Sequence, residues 1–171
     1  MGTVISVIGP GGNVGEAGAG VAVTGSTTNT FSAAALIKAN TVNTDKFSIL
    51  EIRGRGFKTG VAGNCTLRMY FNSTPNLTGT PVLLATHTAS AANIHAQFTR
   101  QVLIDKTNTT VLAAVQNANT DDIENAAGRT VILNAGNIRY DLDLYLILAV
   151  QNGNAADSTS TVVWYSKTHG Y

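Results

Sequence analysis

Charge is scarce in this chain. Its 171 residues include 11 Lys and Arg against 10 Asp and Glu, for a formal net charge of +1, about half the charged share of an ordinary soluble domain. A protein that neutralises phosphates needs a surplus of cations gathered on one face. Neither surplus nor clustering is present, so nucleic acid is not expected as a partner. Cysteine is nearly absent too: Cys65 stands alone, which excludes an intramolecular disulfide framework and suits a small packed apolar residue. A chain of this length buries about two thirds of its unfolded surface without such staples. Long apolar runs are also missing. The run Val4 to Ile8 is broken by Gly9 and Pro10 and has no basic segment before it, so no secretion signal is read and synthesis in a cytoplasm is expected. Residues 17–37 carry no charge, but Gly, Thr, Ser and Asn interrupt them too often for a membrane span. The four Asn-x-Ser/Thr sequons, at Asn64, Asn72, Asn76 and Asn108, are read as accidents of composition.

What is abundant is small or turn-forming: 23 Thr, 22 Ala, 17 Gly and 16 Asn. The strong helix formers are thin while Thr, Val, Ile and Asn are plentiful, which points away from helix bundles. The 44% hydrophobic residues arrive in patterned runs, so disorder is disfavoured. Residues 1–28 read as an extended glycine-rich arm, with Glu16 their one charge, and residues 29–171 as the folded body.

Alternation marks the strands. Cys65, Leu67, Met69 and Phe71 share one face, with Thr66, Arg68 and Tyr70 outward. Ile94, Ala96 and Phe98 are expected inside, His95 and Gln97 outside. From Ile138 to Val150 a single strand is expected, with Ile138, Tyr140, Leu142, Leu144, Leu146, Leu148 and Val150 on the core face. Its other face is charged at Arg139, Asp141 and Asp143 but apolar from Tyr145 to Ala149, as though covered by another element or subunit. In the last strand, residues 159–167, Val162 and Trp164 face one way and Val163 and Tyr165 the other, both sides reading as buried. Further strands fit 46–57, 81–87, 102–104, 110–116 and 130–133, with a short helix allowed near 120–127. Together these read as an all-β protein, an antiparallel β-sandwich of jelly-roll type.

Chemistry is harder to find. Gly9 and Gly11 after an apolar run invite a dinucleotide-binding reading, but position 14 is Val and no βαβ alternation follows. His87, His95 and His169 sit on separate elements without metal-ligand spacing. Asp141 and Asp143, about 7 Å apart on a strand face, have a separation compatible with glycoside hydrolysis; beside Arg139 they read more simply as a salt-bridged stripe. Asn119, Asp121, Asp122 and Glu124 offer oxygens to calcium but lack the glycine and ligand order of an EF-hand. Glu51, Arg53 and Arg55 share parity, with Gly54 and Gly56 interleaved. Such arginines either clamp a partner's carboxylate or are ordinary surface ions on a strand bend. No nucleophile, base and oxyanion set assembles, so no enzyme, cofactor or metal is expected.

The stretch 47–60 (Phe-Ser-Ile-Leu-Glu-Ile-Arg-Gly-Arg-Gly-Phe-Lys-Thr-Gly), then 63–71 (Gly-Asn-Cys-Thr-Leu-Arg-Met-Tyr-Phe), then Phe98 and Ile104-Asp105 ahead of a further strand, resembles tailed-bacteriophage virion proteins with jelly-roll domains. Capsid decoration (cement) proteins are the nearest kind, and the likeness in strand rhythm and composition spans about residues 40–168. The resemblance implies a non-enzymatic structural protein on the capsid surface, a homo-oligomer, commonly a trimer, whose arms reach across the major capsid protein. On that view Gly9, Pro10, Gly11, Gly12, Val21 and Val23 touch the capsid, and Tyr145, Ile147, Val163 and Tyr165 pack within or between subunits. The alternative is a tail-fibre or baseplate jelly-roll module that binds a host receptor or carbohydrate. A sugar site of that sort needs an exposed aromatic platform, and the chain has one Trp and five Tyr.

Overall fold

Period-two burial runs through the strands of the computed structural model, which describes residues 4–8, 14–39, 47–105, 110–116, 129–135, 138–139 and 141–170. In the strand Cys65–Asn72 the residues Cys65, Leu67, Met69 and Phe71 are at most 1% exposed while Thr66, Arg68 and Tyr70 are half-buried. Successive side chains point to opposite faces of a strand, so this pattern means one face against a core.

In chain order the strands are β1 (Val4–Ile8), β2 (Val14–Ala19), β3 (Val23–Thr24), β4 (Thr30–Ile37), β5 (Phe47–Thr59), β6 (Cys65–Asn72), β7 (Val82–Ala89), β8 (His95–Asp105), β9 (Thr110–Gln116), β10 (Arg129–Ala135), β11 (Leu144–Asn152) and β12 (Ser158–Gly170). Among the described residues there is no helix. Two antiparallel sheets form a sandwich. The larger has the order β1-β2-β12-β5-β8-β9-β10, with β3 also on β12, and the smaller the order β4-β11-β6-β7. The chain changes sheet between β3 and β4, β4 and β5, β5 and β6, β7 and β8, and on either side of β11.

Between the sheets lies an aliphatic core. Leu50, Ile52, Val102, Ile104, Val163 and Tyr165 from the larger sheet meet Ala35, Ile37, Leu67, Met69, Phe71, Leu146 and Leu148 from the smaller. Burying each of the larger side chains contributes roughly 1.5–3 kcal/mol. Tyr165 also has its hydroxyl satisfied, donating to the Leu36 carbonyl at 3.1 Å. Residues 14–24, within the segment expected as an arm, add β2 and β3 to β12 at the edge of the larger sheet. At Gly20 and Val21 the chain ties the two sheets together. Gly20 N–H donates to Thr161 O at 2.8 Å, Val21 N–H to Ser32 O at 2.9 Å, and Ser32 Oγ lies 2.6 Å from Thr161 Oγ1.

Four expectations change. The strand expected over residues 138–150 begins only at Leu144, because Asp143 turns to cap the Ala39 N–H at 3.0 Å and to meet Lys38. Leu142, expected in the core, is therefore 54% exposed in a turn, although Ile138 is buried at 2%; Tyr140 lies outside the described residues. The segments near residues 94–98 and 102–104 form one strand, β8, whose Thr99 and Gln101 project outward. Ile94 precedes it and is 42% exposed. Finally, Val162 and Trp164 are only half-buried, because nothing among the described residues packs over that face of β12. The helix allowed near 120–127 and the loop 119–124 lie outside the described residues.

Candidate functional site

The outer face of the larger sheet gathers the chain's only tryptophan and two of its arginines. Antiparallel register sets Trp164 of β12 opposite Arg53 of β5, and Arg53 opposite Thr99 of β8. The flanking rows are Val162, Arg55 and Gln97 on one side and Ser166, Glu51 and Gln101 on the other; beyond Arg55 come Ser160, Phe57 and His95. Directly opposed side chains sit about 4.5–5.5 Å apart at Cβ on the same face, so these residues form one surface. Glu51 holds Arg53 in place, accepting from its Nε at 2.5 Å and pairing with Nη2. The Phe57 and His95 rings lie 5.3 Å apart at 53°. Arg55, Gln97 and Gln101 are exposed. Among the described residues none of these three, nor the indole N–H of Trp164, has a partner within the protein. At the β8 margin a cleft of about 300 Å³ opens toward β7, lined by His87, Thr88, Ser90, Asn93, His95 and Gln97. His87 and His95 thus share a cleft that their sequence separation conceals.

The outer face of the smaller sheet is different in kind. Tyr145 is flanked by Leu36 and Asn72, Ile147 by Ala34 and Tyr70, and Ala149 by Phe31 and Arg68, with Leu83 beside Tyr70. Ile147 and Ala149 are fully buried yet stand apart from the core between the sheets. Phe31, Leu36, Tyr70, Leu83 and Tyr145 are half-buried around them. Several polar side chains here are satisfied within the chain. Arg68 Nη1 donates to Gln151 Oε1 at 2.9 Å and to Asn29 Oδ1 at 3.3 Å, Asn29 Nδ2 donates to the Tyr70 hydroxyl at 2.9 Å, and Thr66 meets Thr88 at 3.0 Å. Of the four residues assigned to subunit packing, Tyr145 and Ile147 are therefore on this face, while Val163 and Tyr165 are in the core. Of those assigned to capsid contact, Val21 is 69% exposed and Val23 is buried at 5% where β3 meets β12; Gly9, Pro10, Gly11 and Gly12 lie outside the described residues.

At one end of the sandwich is a buried ionic network that no sequence pattern announced. Lys58 and Asp157 are 2% and 0% exposed, with Nζ 3.8 Å from Oδ2. Nζ also donates to the carbonyls of Gly63 and, at 2.8 Å, Ala91. The Asp157 carboxylate accepts the N–H groups of Ala62 at 3.2 Å and Gly63 at 2.9 Å. Beside it Thr159 Oγ1 donates to Asn152 Oδ1 at 2.7 Å, and Asn152 Nδ2 to Val23 O at 3.0 Å. Burial pushes the Cys65 thiol up against an opposing hydrogen bond with Thr159. That is the reverse of what a thiolate nucleophile needs.

The two aspartates considered for glycoside hydrolysis are each held by a cation. Arg139 grips Asp141 through Nε at 2.7 Å and Nη2 at 2.5 Å, which lowers the Asp141 carboxyl. The Ala39 N–H, with Lys38 behind it, lowers Asp143. A general acid needs its carboxyl raised, so both are tuned the wrong way. Because the folded pKa of Asp143 lies below its unfolded value near 3.9, its contacts stabilise the protein above that value and are lost as pH falls through the folded pKa. Urea titrations at successive pH values are thus expected to show Asp143→Asn with a shallower loss of stability below about pH 4 than the parent chain; parallel curves would show that the Ala39 cap contributes nothing. Among the described residues no three His, Cys, Asp or Glu side chains come together as metal ligands. Of His169 only the backbone, opposite Ile49, is described.

No family model matches the chain, and no curated protein matches it. Among solved structures, the chain is similar to the crystal structure of LamAcat from Zobellia galactanivorans with a TM-score of 0.38 and 9% identity, covering 96% of this chain and 80% of that one. It is also similar to the structure of infectious bursal disease virus, Gx strain, with a TM-score of 0.28 and 13% identity, covering 98% of this chain and 40% of that one. Likeness at that level carries no argument about this chain.

Proposed function

We propose that this chain is a non-enzymatic structural protein of a phage particle, a β-sandwich that self-associates and binds the outside of the capsid shell. The carrying observation is the outer face of the smaller sheet. Around the buried Ile147 and Ala149 its aromatic and aliphatic side chains are half-buried, and its single arginine is already satisfied by Asn29 and Gln151. Interface cores are depleted in charge and enriched in aromatic residues, and a second copy of this chain is the occupant that the surface suits. A protein that binds the assembled shell but not its separated subunits stabilises the shell by mass action, and several sites per oligomer raise the effective affinity. The lowering of both Asp141 and Asp143, which leaves no raised carboxyl to act as a general acid, supports a role without catalysis.

Two measurements test this reading. Light scattering on the purified protein is expected to give an oligomer, and Leu83→Asp, which places a charge beside Tyr70 in the apolar face, is expected to give a folded monomer. A monomeric parent chain at about 100 μM, a concentration at which even weak complexes form, would remove the self-association. Sedimentation with preformed phage shells is expected to recover the protein in the pellet; failure to do so would remove the shell assignment.

A further inference from the structure

We propose that the outer face of the larger sheet binds an acidic oligosaccharide, with a sugar ring lying on Trp164 and its carboxylate on Arg55. The contrast between the two sheet faces motivates this. On the smaller sheet Arg68, Asn29, Tyr70, Thr66 and Asn72 are paired within the chain; on the larger, Arg55, Gln97, Gln101 and the Trp164 N–H are left open among the described residues. Arg53 is different, because Glu51 neutralises it and fixes its fork beside the indole. Among the described residues Arg55 is therefore the uncompensated cation of this surface, and it calls for an anion. Its guanidinium presents paired N–H donors that match a carboxylate.

The shape of the surface selects the carrier of that anion. A half-buried indole in a sheet face offers a flat apolar platform with one polar edge, suited to the C–H face of a pyranose. An acidic peptide would add pockets for its side chains to that requirement, whereas a pyranose needs only the platform and its polar edge. Gln97 lies two strand spacings from β12, about 10 Å away, and it also lines the cleft with Thr88, Ser90, Asn93 and His95. Those amides, hydroxyls and imidazoles can bond successive sugar hydroxyls, so a short chain can run from Trp164 across Arg55 into the cleft. This goes beyond the structural role proposed above and uses the opposite sheet, so either can fail alone.

Trp164 is the chain's one tryptophan, so its fluorescence reports on this face directly. The full-length protein would be titrated with tetragalacturonate, a heparosan tetrasaccharide and sialyllactose, with methyl-esterified tetragalacturonate and tetra-aspartate as controls. At least one acidic sugar is expected to shift the emission saturably, with the methyl ester about tenfold weaker, as loss of a charge-assisted contact implies. Arg55→Gln, at an exposed position, is expected to weaken the acidic sugar by the same factor while leaving the oligomer and shell sedimentation unchanged. The proposal is overturned if no acidic sugar shifts the emission up to about 10 mM, if Arg55→Gln leaves the affinity intact, or if tetra-aspartate binds as well as the sugars.

Discussion

Asp157→Ala is expected to cost about 3–5 kcal/mol of folding stability, the scale for breaking a buried ion pair from one side. The loss has two physical parts. Lys58 would be left at 2% exposure with only the Gly63 and Ala91 carbonyls to accept from it, and the N–H groups of Ala62 and Gly63 would lose their acceptor. The pair joins the end of β5, the loop that follows it, the turn before β8 and the turn before β12, so the damage reaches all four of these segments. Urea unfolding at pH 7 measures it. The double variant Lys58→Met with Asp157→Leu is expected to recover only the part of the loss that comes from the unpaired charge, because an apolar pair of similar volume has no charge to desolvate but still leaves the Ala62 and Gly63 N–H groups without an acceptor. A single-variant loss below about 1 kcal/mol, the value of a surface pair, would mean that water reaches Lys58.

The sequence makes the strands of the body legible and conceals this network for one reason: alternation reports which face a residue is on, not what it meets. β6 reads correctly from Cys65, Leu67, Met69 and Phe71 because the four sit in register on one core face. Lys58 carries a faint signal of the same kind, since it shares parity with Leu50 and Ile52 and so points inward at the end of β5. Its partner lies 99 residues along the chain, and nothing local marks Asp157 within a turn rich in Asn, Ala and Ser. The misreading of Leu142 has the opposite origin. Its alternation with Leu144 is regular, but the side chains of Asp141 and Asp143 find Arg139 and the Ala39 N–H instead of continuing the strand, and tertiary contact overrides pattern.

The candidate sites follow the same division. The apolar character of Tyr145 and Ile147 on the outward face of β11 is visible in the sequence, and the structure places both on the outer face of the smaller sheet. The platform at Trp164 is not visible. With Val162, Val163, Trp164 and Tyr165 in a row, both faces of β12 read as core. Only the register of β12 against β5 shows that Trp164 shares a face with Arg53 and Arg55. The parity of Glu51, Arg53 and Arg55 was therefore the usable signal, and it lacked only the identity of its neighbour.

Gly60→Ala is expected to cost about 3 kcal/mol, near the upper end for overpacking, and to owe that cost to two separable causes. Gly60 has φ +95°, where an L side chain is strained by about 1–2 kcal/mol. A Cβ there would also collide with Asp157 Oδ1. That oxygen cannot yield cheaply, because Lys58 and the N–H groups of Ala62 and Gly63 hold the carboxylate from the other side. Gly79 isolates the first cause: its φ is +86° and its nearest atom to an added Cβ is Asn72 Oδ1 at 3.9 Å, so Gly79→Ala is expected to cost only about 1–2 kcal/mol. A double-mutant cycle isolates the second. In an Asp157→Ala background the collision is gone while the backbone strain remains, so Gly60→Ala is expected to fall to the Gly79→Ala value, a coupling of about 1–2 kcal/mol between the two positions. Urea unfolding of the four chains measures that coupling. If the two costs simply add, the Asp157 carboxylate is free to move, and the rigid end of the sandwich that the Lys58 network describes does not exist.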